Sequence, residues 1–216
     1  MLALSLSAKA SGPLKILCLG AHSDDIEIGC GGTILRLLSE HDEVQIFWVV
    51  FGAGNQREQE ARSSANLFLS GAKHREVTIK NFRDGFFPFQ GTQIKDCFEE
   101  LKPTAPDLIF THSRKDAHQD HRLLAELTWN TFRNHLILEY EIPKYDGDLG
   151  QPNVFVPLQR EIYERKVSYL MEAFESQRSK QWFGRDTFLG LMRLRGMECV
   201  APSGHAEAFY SRKLVI

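Results

Sequence analysis

Residues 17–32 read LCLGAHSDDIEIGCGG. The stretch opens inside an apolar run, Ile16-Leu17-Cys18-Leu19, the pattern of a strand buried on both faces of a parallel sheet. Small residues Gly20 and Ala21 end the run, and His22, Asp24 and Asp25 follow within four positions. After Glu27 and a small-residue stretch, Gly29-Cys30-Gly31-Gly32, an apolar-periodic segment begins and predicts a helix over about 31–40. Strand, polar loop and helix in that order put the His and both Asp at the carboxyl end of a strand, where open α/β sheets bind ligands. Imidazole and carboxylate together suit a divalent metal of zinc's type. The competing reading is an ordinary connection whose Asp residues cap the helix.

Outward from this stretch the chain alternates strand and helix. Val44 to Phe51 is a second β-branched and aromatic strand, and Arg57 to Leu69 a helix stopped by Gly71. Glu76 to Ile79 is a short strand, Asn81 to Gln90 an aromatic loop, and Thr92 to Leu101 a helix closed off by Pro103 and Pro106. Asp107 to Thr111 is a fourth strand, Asp120 to Arg133 a helix and Leu136 to Leu138 a fifth strand. Glu141 to Pro157 reads as a long surface loop, either a lid or a contact between copies of a homo-oligomer. Arg160 to Phe174 and Asp186 to Leu194 are helical, and Glu207 to Tyr210 is a last strand. Repeated strand–helix units predict an α/β fold with a mostly parallel sheet and helices on both faces, in one domain over residues 14–216. Residues 1–13 read as a flexible lead-in.

Composition excludes several classes. Of 216 residues, 43% are hydrophobic and 25% charged, a globular profile. A formal net charge of -2 with scattered Lys and Arg argues against nucleic acid or an anionic membrane as partner. No apolar run approaches the roughly 20 residues that span a bilayer, and Lys9 interrupts an N-terminus too short and uncharged to be a secretory signal. Four dispersed cysteines, at 18, 30, 97 and 199, form no CxxC pair, so cysteine is not the metal ligand and a reducing, cytoplasmic setting is expected.

A second polar cluster follows the fourth strand. Residues 111–122 read THSRKDAHQDHR, with His118, Asp120 and His121 within four positions. Two strand ends on one sheet edge can bring both loops together. One His and one Asp from the first and one His from the second make a three-ligand site that leaves a position for water, as in catalytic zinc sites. A spare carboxylate is then available as a base, and a His–Asp pair as an oriented imidazole. Which Asp does which stays open on spacing alone. His41, His74, His112, His135 and His205 read as ordinary surface or core residues.

The pair AHSDDIEIGCGGT and HSRKDAHQDHR resembles the LmbE-like, or PIG-L-type, zinc-dependent de-N-acetylases, whose pattern is AHPDDxE near the N-terminus and HxDH midway. Arg57 to Glu60, Glu175-Ser176-Gln177 and Ala206 to Phe209 are further family-like pieces. One departure is Ser23, where the family usually has Pro; it relaxes the loop backbone and removes no chemical group. The resemblance implies a Rossmann-like sheet and removal of acetyl from an N-acetylglucosamine-type sugar or its conjugate. It implies zinc bound by His22, Asp25 and His121, Asp24 as general base, and His118 as the imidazole that stabilises the oxyanion and helps protonate the amine, with Asp120 orienting it. Arg57 and Asp84 are candidate substrate contacts. Phe82, Phe86, Phe87 and Phe89 are either pocket wall or core. Two other functions share these residues: an amidase for a larger acyl or thiol conjugate, and a non-catalytic metal- or carbohydrate-binding protein, which would need neither Asp24 nor the His118–Asp120 pair. A dinucleotide oxidoreductase is excluded because GAHSDD, not GxGxxG, follows the first strand.

Overall fold

Alternate residues of the first strand, β1 (Leu14–His22), serve two different layers. Ile16 and Cys18 join one apolar cluster and Leu17, Leu19 and Ala21 the other, so both faces of the strand are buried, as its unbroken apolar run requires. The structure, a computed structural model, describes residues 12–215, so residues 1–11 of the expected lead-in lie outside the described residues.

Six further strands follow among the described residues: β2 (Val44–Gly52), β3 (His74–Ile79), β4 (Leu108–His112), β5 (Leu136–Tyr140), β6 (Val154–Pro157) and β7 (Ala206–Tyr210). They form one sheet in the order β3-β2-β1-β4-β5-β7-β6. Pairing is parallel from β3 to β5, and β7 runs antiparallel to both β5 and β6. Helices α1 (Asp25–Glu40), α2 (Gln56–Phe68), α5 (Arg160–Ala173) and α6 (Arg185–Glu198) contribute to the layer on one face. Helices α3 (Gly91–Leu101) and α4 (Gln119–Thr131) cover the other through Ile94, Phe98 and Leu124. The expected α/β class and mostly parallel sheet are observed. No helix among the described residues is long and apolar enough to cross a membrane.

Two elements differ from the sequence reading. Helix α1 starts at Asp25, six residues before the expected position, so its glycines lie inside it. Glycine in a helix interior costs about 1 kcal/mol relative to alanine, and close packing is the compensation here. A Cβ on Gly29 would stand 2.2 Å from the Tyr140 ring, and one on Gly31 2.5 Å from the Phe68 ring. The second difference is β6, which lies within the segment read as a loop. Its side chains are only half-buried, and it pairs through β7, which no local apolar run announces.

Candidate metal and catalytic site

The sheet order fixes where a site forms. From β1 the chain moves outward to β2 and β3 on one side, and β4 leads to β5 on the other. The loops after β1 and β4 therefore diverge at the switch between them, and the crevice opens at the strands' carboxyl ends. His22 is the last residue of β1, and His121 lies in the first turn of α4 behind β4. Asp24 occupies the N-cap position of α1 but makes no side-chain cap hydrogen bond, which removes the capping alternative.

Three atoms converge here. His22 Nδ1 lies 3.1 Å from His121 Nε2 and 3.3 Å from Asp25 Oδ2, which in turn is 3.5 Å from His121 Nε2. The opposite side of each ring faces a carboxylate. His121 Nδ1 donates to Asp116 Oδ2 at 2.9 Å. His22 Nε2 stands 3.0 Å from Asp84 Oδ1 and 3.4 Å from Asp120 Oδ2, contacts that are electrostatic rather than aligned hydrogen bonds. Carboxylates behind both rings place the ring protons there, so two imidazole lone pairs and a carboxylate oxygen point into one small space. That arrangement repels itself unless a proton or a metal cation sits among the three. Nitrogen and oxygen ligands at about 2.0–2.2 Å in a zinc tetrahedron are about 3.3–3.6 Å apart, close to the separations found. The residues fit a zinc-sized ion.

Without a metal ion, charge on the His22 ring relieves the same repulsion. Burial would depress His22, but the charge of Asp25 and the close carboxylates of Asp120 and Asp84 raise it well above the usual imidazole range. Burial would raise Asp25, but the imidazoles of His121, His112 and His22 hold it well below the carboxylate range. Burial and His112 push His121 down to about 4, keeping it a neutral donor of its lone pair. Burial and the neighbouring Asp25 raise Asp24, against Arg57, His22 and Lys180.

The other expected site residues gather at the same crevice. Arg57, at the start of α2, donates to Ser23 Oγ at 3.0 Å, Asp84 Oδ2 at 3.1 Å and Asp24 Oδ1 at 3.3 Å. The serine that replaces the family's proline thus supplies an acceptor for Arg57. The His118 ring lies edge-on to His22 with centroids 4.9 Å apart. Phe87 is buried 6.0 Å from the His22 ring and Phe82 packs against it, so these two are core. Phe86 and Phe89 are exposed, at 38% and 79%.

Asp120 departs from its expected part. Its Oδ2 and Oδ1 accept the Gly85 and Phe87 backbone N–H groups at 2.7 and 3.1 Å, and the carboxylate backs His22. What reaches His118 is the Asp120 backbone N–H, which donates to Nδ1 at 3.3 Å. The carboxylate does not orient that ring, because two loop amides and His22 already hold it. Consistently, burial and then the nearby His22 lower His118, outweighing Asp120.

Sequence reasoning missed two residues. His112, the last residue of β4, is buried with Nε2 3.2 Å from Asp25 Oδ2 and its ring stacked 3.9 Å from that of His121. Its position one strand over from His22, at the same sheet edge, was the available signal. Asp116 sits in the quoted second cluster, but nothing in its spacing separates it from other loop acids.

A family model described as PIG-L, GlcNAc-PI de-N-acetylase, matches residues 17–132. An uncharacterized deacetylase of Escherichia coli K12, YaiS, is 28% identical over 180 residues, 77% of this chain and 94% of that protein. Among solved structures, N,N'-diacetylchitobiose deacetylase from Pyrococcus horikoshii matches with a TM-score of 0.71 at 22% identity, over 92% of this chain and 84% of that one. GalB, the 4-carboxy-2-hydroxymuconate hydratase from Pseudomonas putida, matches at 0.74 and 14% identity, over 94% and 97%. Likeness at such identities shows a shared fold and no more. The family model covers more than half of the chain and contains both polar clusters, and the chain therefore belongs to the PIG-L, or LmbE-like, family of de-N-acetylases and is a hydrolytic N-deacetylase.

Proposed function

We propose that the chain hydrolyses the acetamido group of an N-acetylglucosamine-type sugar or its conjugate, with zinc held by His22, Asp25 and His121. The observation that carries this reading is the convergence of two carboxylate-backed imidazole lone pairs with Asp25 Oδ2. Zinc bound there supplies Lewis acidity, which polarises a carbonyl and lowers the pKa of water. Asp24, tethered by Arg57, takes a proton from the attacking water as its oxygen adds to the acetyl carbon. His118, whose Nδ1 accepts the Asp120 amide, carries its ring proton on Nε2 and donates it as a hydrogen bond to the carbonyl oxygen while charge builds there. Asp24 returns its proton to the nitrogen as the C–N bond breaks, leaving acetate and a free amine. The Arg57–Asp84 pair at the mouth, with exposed Phe86 and Phe89 on the same loop as Asp84, supports a hydroxyl-rich ring as substrate.

The test is acetate release from a panel of N-acetyl sugars, before and after chelation and zinc return. Activity is expected to vanish with the chelator and come back with zinc. Asp24→Asn should keep the metal and lose about 10²- to 10⁴-fold in rate. Acetate release indifferent to both treatments would sink the reading.

A further inference from the structure

Beyond its strand, the connection from Glu141 to Pro157 reaches the back of the metal cluster. Lys144 is nearly buried, with 8% of its side chain exposed, and Nζ lies 3.1 Å from Asp116 Oδ1 and 2.5 Å from Asp148 Oδ2. A buried ammonium is costly unless it is paired, and here two carboxylates share it. Each carboxylate also holds the loop that leads into α4. Asp148 Oδ2 accepts the Ala117 N–H at 2.6 Å, Asp116 Oδ1 accepts the His118 N–H at 2.7 Å, and Asp116 Oδ2 receives His121 Nδ1. Without the lysine, two carboxylates would face one another across its empty place, and the one that fixes the His121 tautomer would be free to turn.

We propose that Lys144 is a positioning residue of this site: with Asp148 it clamps residues 116 and 117, and through Asp116 it sets the His121 imidazole for metal binding. This rests on His121 being a metal ligand. The contact that Lys144 and Asp148 make with the site is thus structural and lies behind the cluster.

The test measures zinc affinity of the full chain by titrating zinc into apoprotein against a chromophoric chelator, alongside kcat and KM. Partners one step behind a ligand change metal affinity by about 10- to 100-fold when lost. Lys144 stands one step further back, so Lys144→Met should weaken zinc about tenfold and lower kcat with KM unchanged. Lys144→Arg, which keeps a cation between the carboxylates, should restore most of the affinity. In an Asp116→Asn background, Lys144→Met should add less than about twofold, because the path to His121 is already cut. Lys144→Gln replaces Lys144→Met if the latter does not fold. A folded variant with zinc affinity within twofold of wild type overturns the proposal. His121→Ala separates the two readings: if it binds zinc like wild type, the ligand set fails and this inference with it. If it loses zinc while Lys144→Met does not, only the role of Lys144 fails.

Discussion

Glu207→Ala should be among the most destabilising substitutions in the chain. Glu207 lies on β7, buried, and its carboxylate takes four hydrogen bonds. Oε1 accepts from Gly32 N–H at 2.8 Å and Lys166 Nζ at 2.5 Å, and Oε2 from Thr33 N–H and Thr33 Oγ1, both at 2.6 Å. Lys166, equally buried, has one other partner, the Ile28 carbonyl at 2.6 Å. Alanine at 207 leaves an ammonium in the interior without a counter-charge, a loss of about 3–5 kcal/mol. The two amides sit inside α1, so no separate charge is added for them. At about 2–4 °C per kcal/mol for a chain of this size, the melting temperature should fall by about 6–20 °C. Urea unfolding of apoprotein in chelator, followed by far-UV circular dichroism, reads this without metal linkage. In a Lys166→Met background the same substitution should cost at least about 1.5 kcal/mol less, because the stranded charge is gone. A loss below about 1 kcal/mol, or an equal loss in both backgrounds, would refute the argument. Folded Glu207→Ala should bind zinc like wild type, since the carboxylate's own contacts with α1, at Gly32 and Thr33, lie two turns beyond Asp25.

Gly29→Ala should destabilise the fold by about 1–3 kcal/mol, although alanine is the better helix former, because the added methyl meets the Tyr140 ring, itself tied to the Leu19 carbonyl at 2.6 Å. A rise in melting temperature would show that α1 does not need that approach. Asp120→Asn should weaken zinc by about tenfold or more, because an amide cannot accept both the Gly85 and Phe87 N–H groups while backing His22. It should also speed amide exchange at those two positions; full zinc affinity with only a slower rate would return Asp120 to the service of His118.

Much of the architecture was legible because it is written in local patterns. The apolar runs of β1, β2 and β4 announce buried parallel strands, and the clusters at 22–25 and 118–121 stand directly behind two of them. What was not legible depends on partners distant in sequence. Helix α1 hid its first turn because Gly29 and Gly31 weaken the helical signal, and the reason for them, Tyr140 and Phe68, lies on other elements. Strand β6 has half-buried side chains and exists through its ladder with β7. The choice of Asp25 over Asp24 as the inward carboxylate follows from the turn itself. Asp25 Oδ2 accepts the His22 backbone N–H at 2.6 Å, which folds that side chain back onto the strand end, whereas Asp24 is drawn outward to Arg57.

The two histidines of the cluster are 99 residues apart, yet each follows the same construction. One ring nitrogen faces the centre and the other an acid, and that acid is pinned by backbone amides: Asp116 by the His118 N–H, Asp120 by those of Gly85 and Phe87. An acid held only by a flexible side chain would allow the ring to flip and exchange its lone pair for a proton. Amides belonging to the loops fix the acids to the sheet edge, so the tautomers become properties of the fold. The aromatic loop is therefore part of the candidate metal site, through the two amides that hold Asp120. Phe87, buried in the layer under α3 and α4, keeps its own N–H within reach of Asp120, which makes the packing of that layer a determinant of how tightly His22 is held.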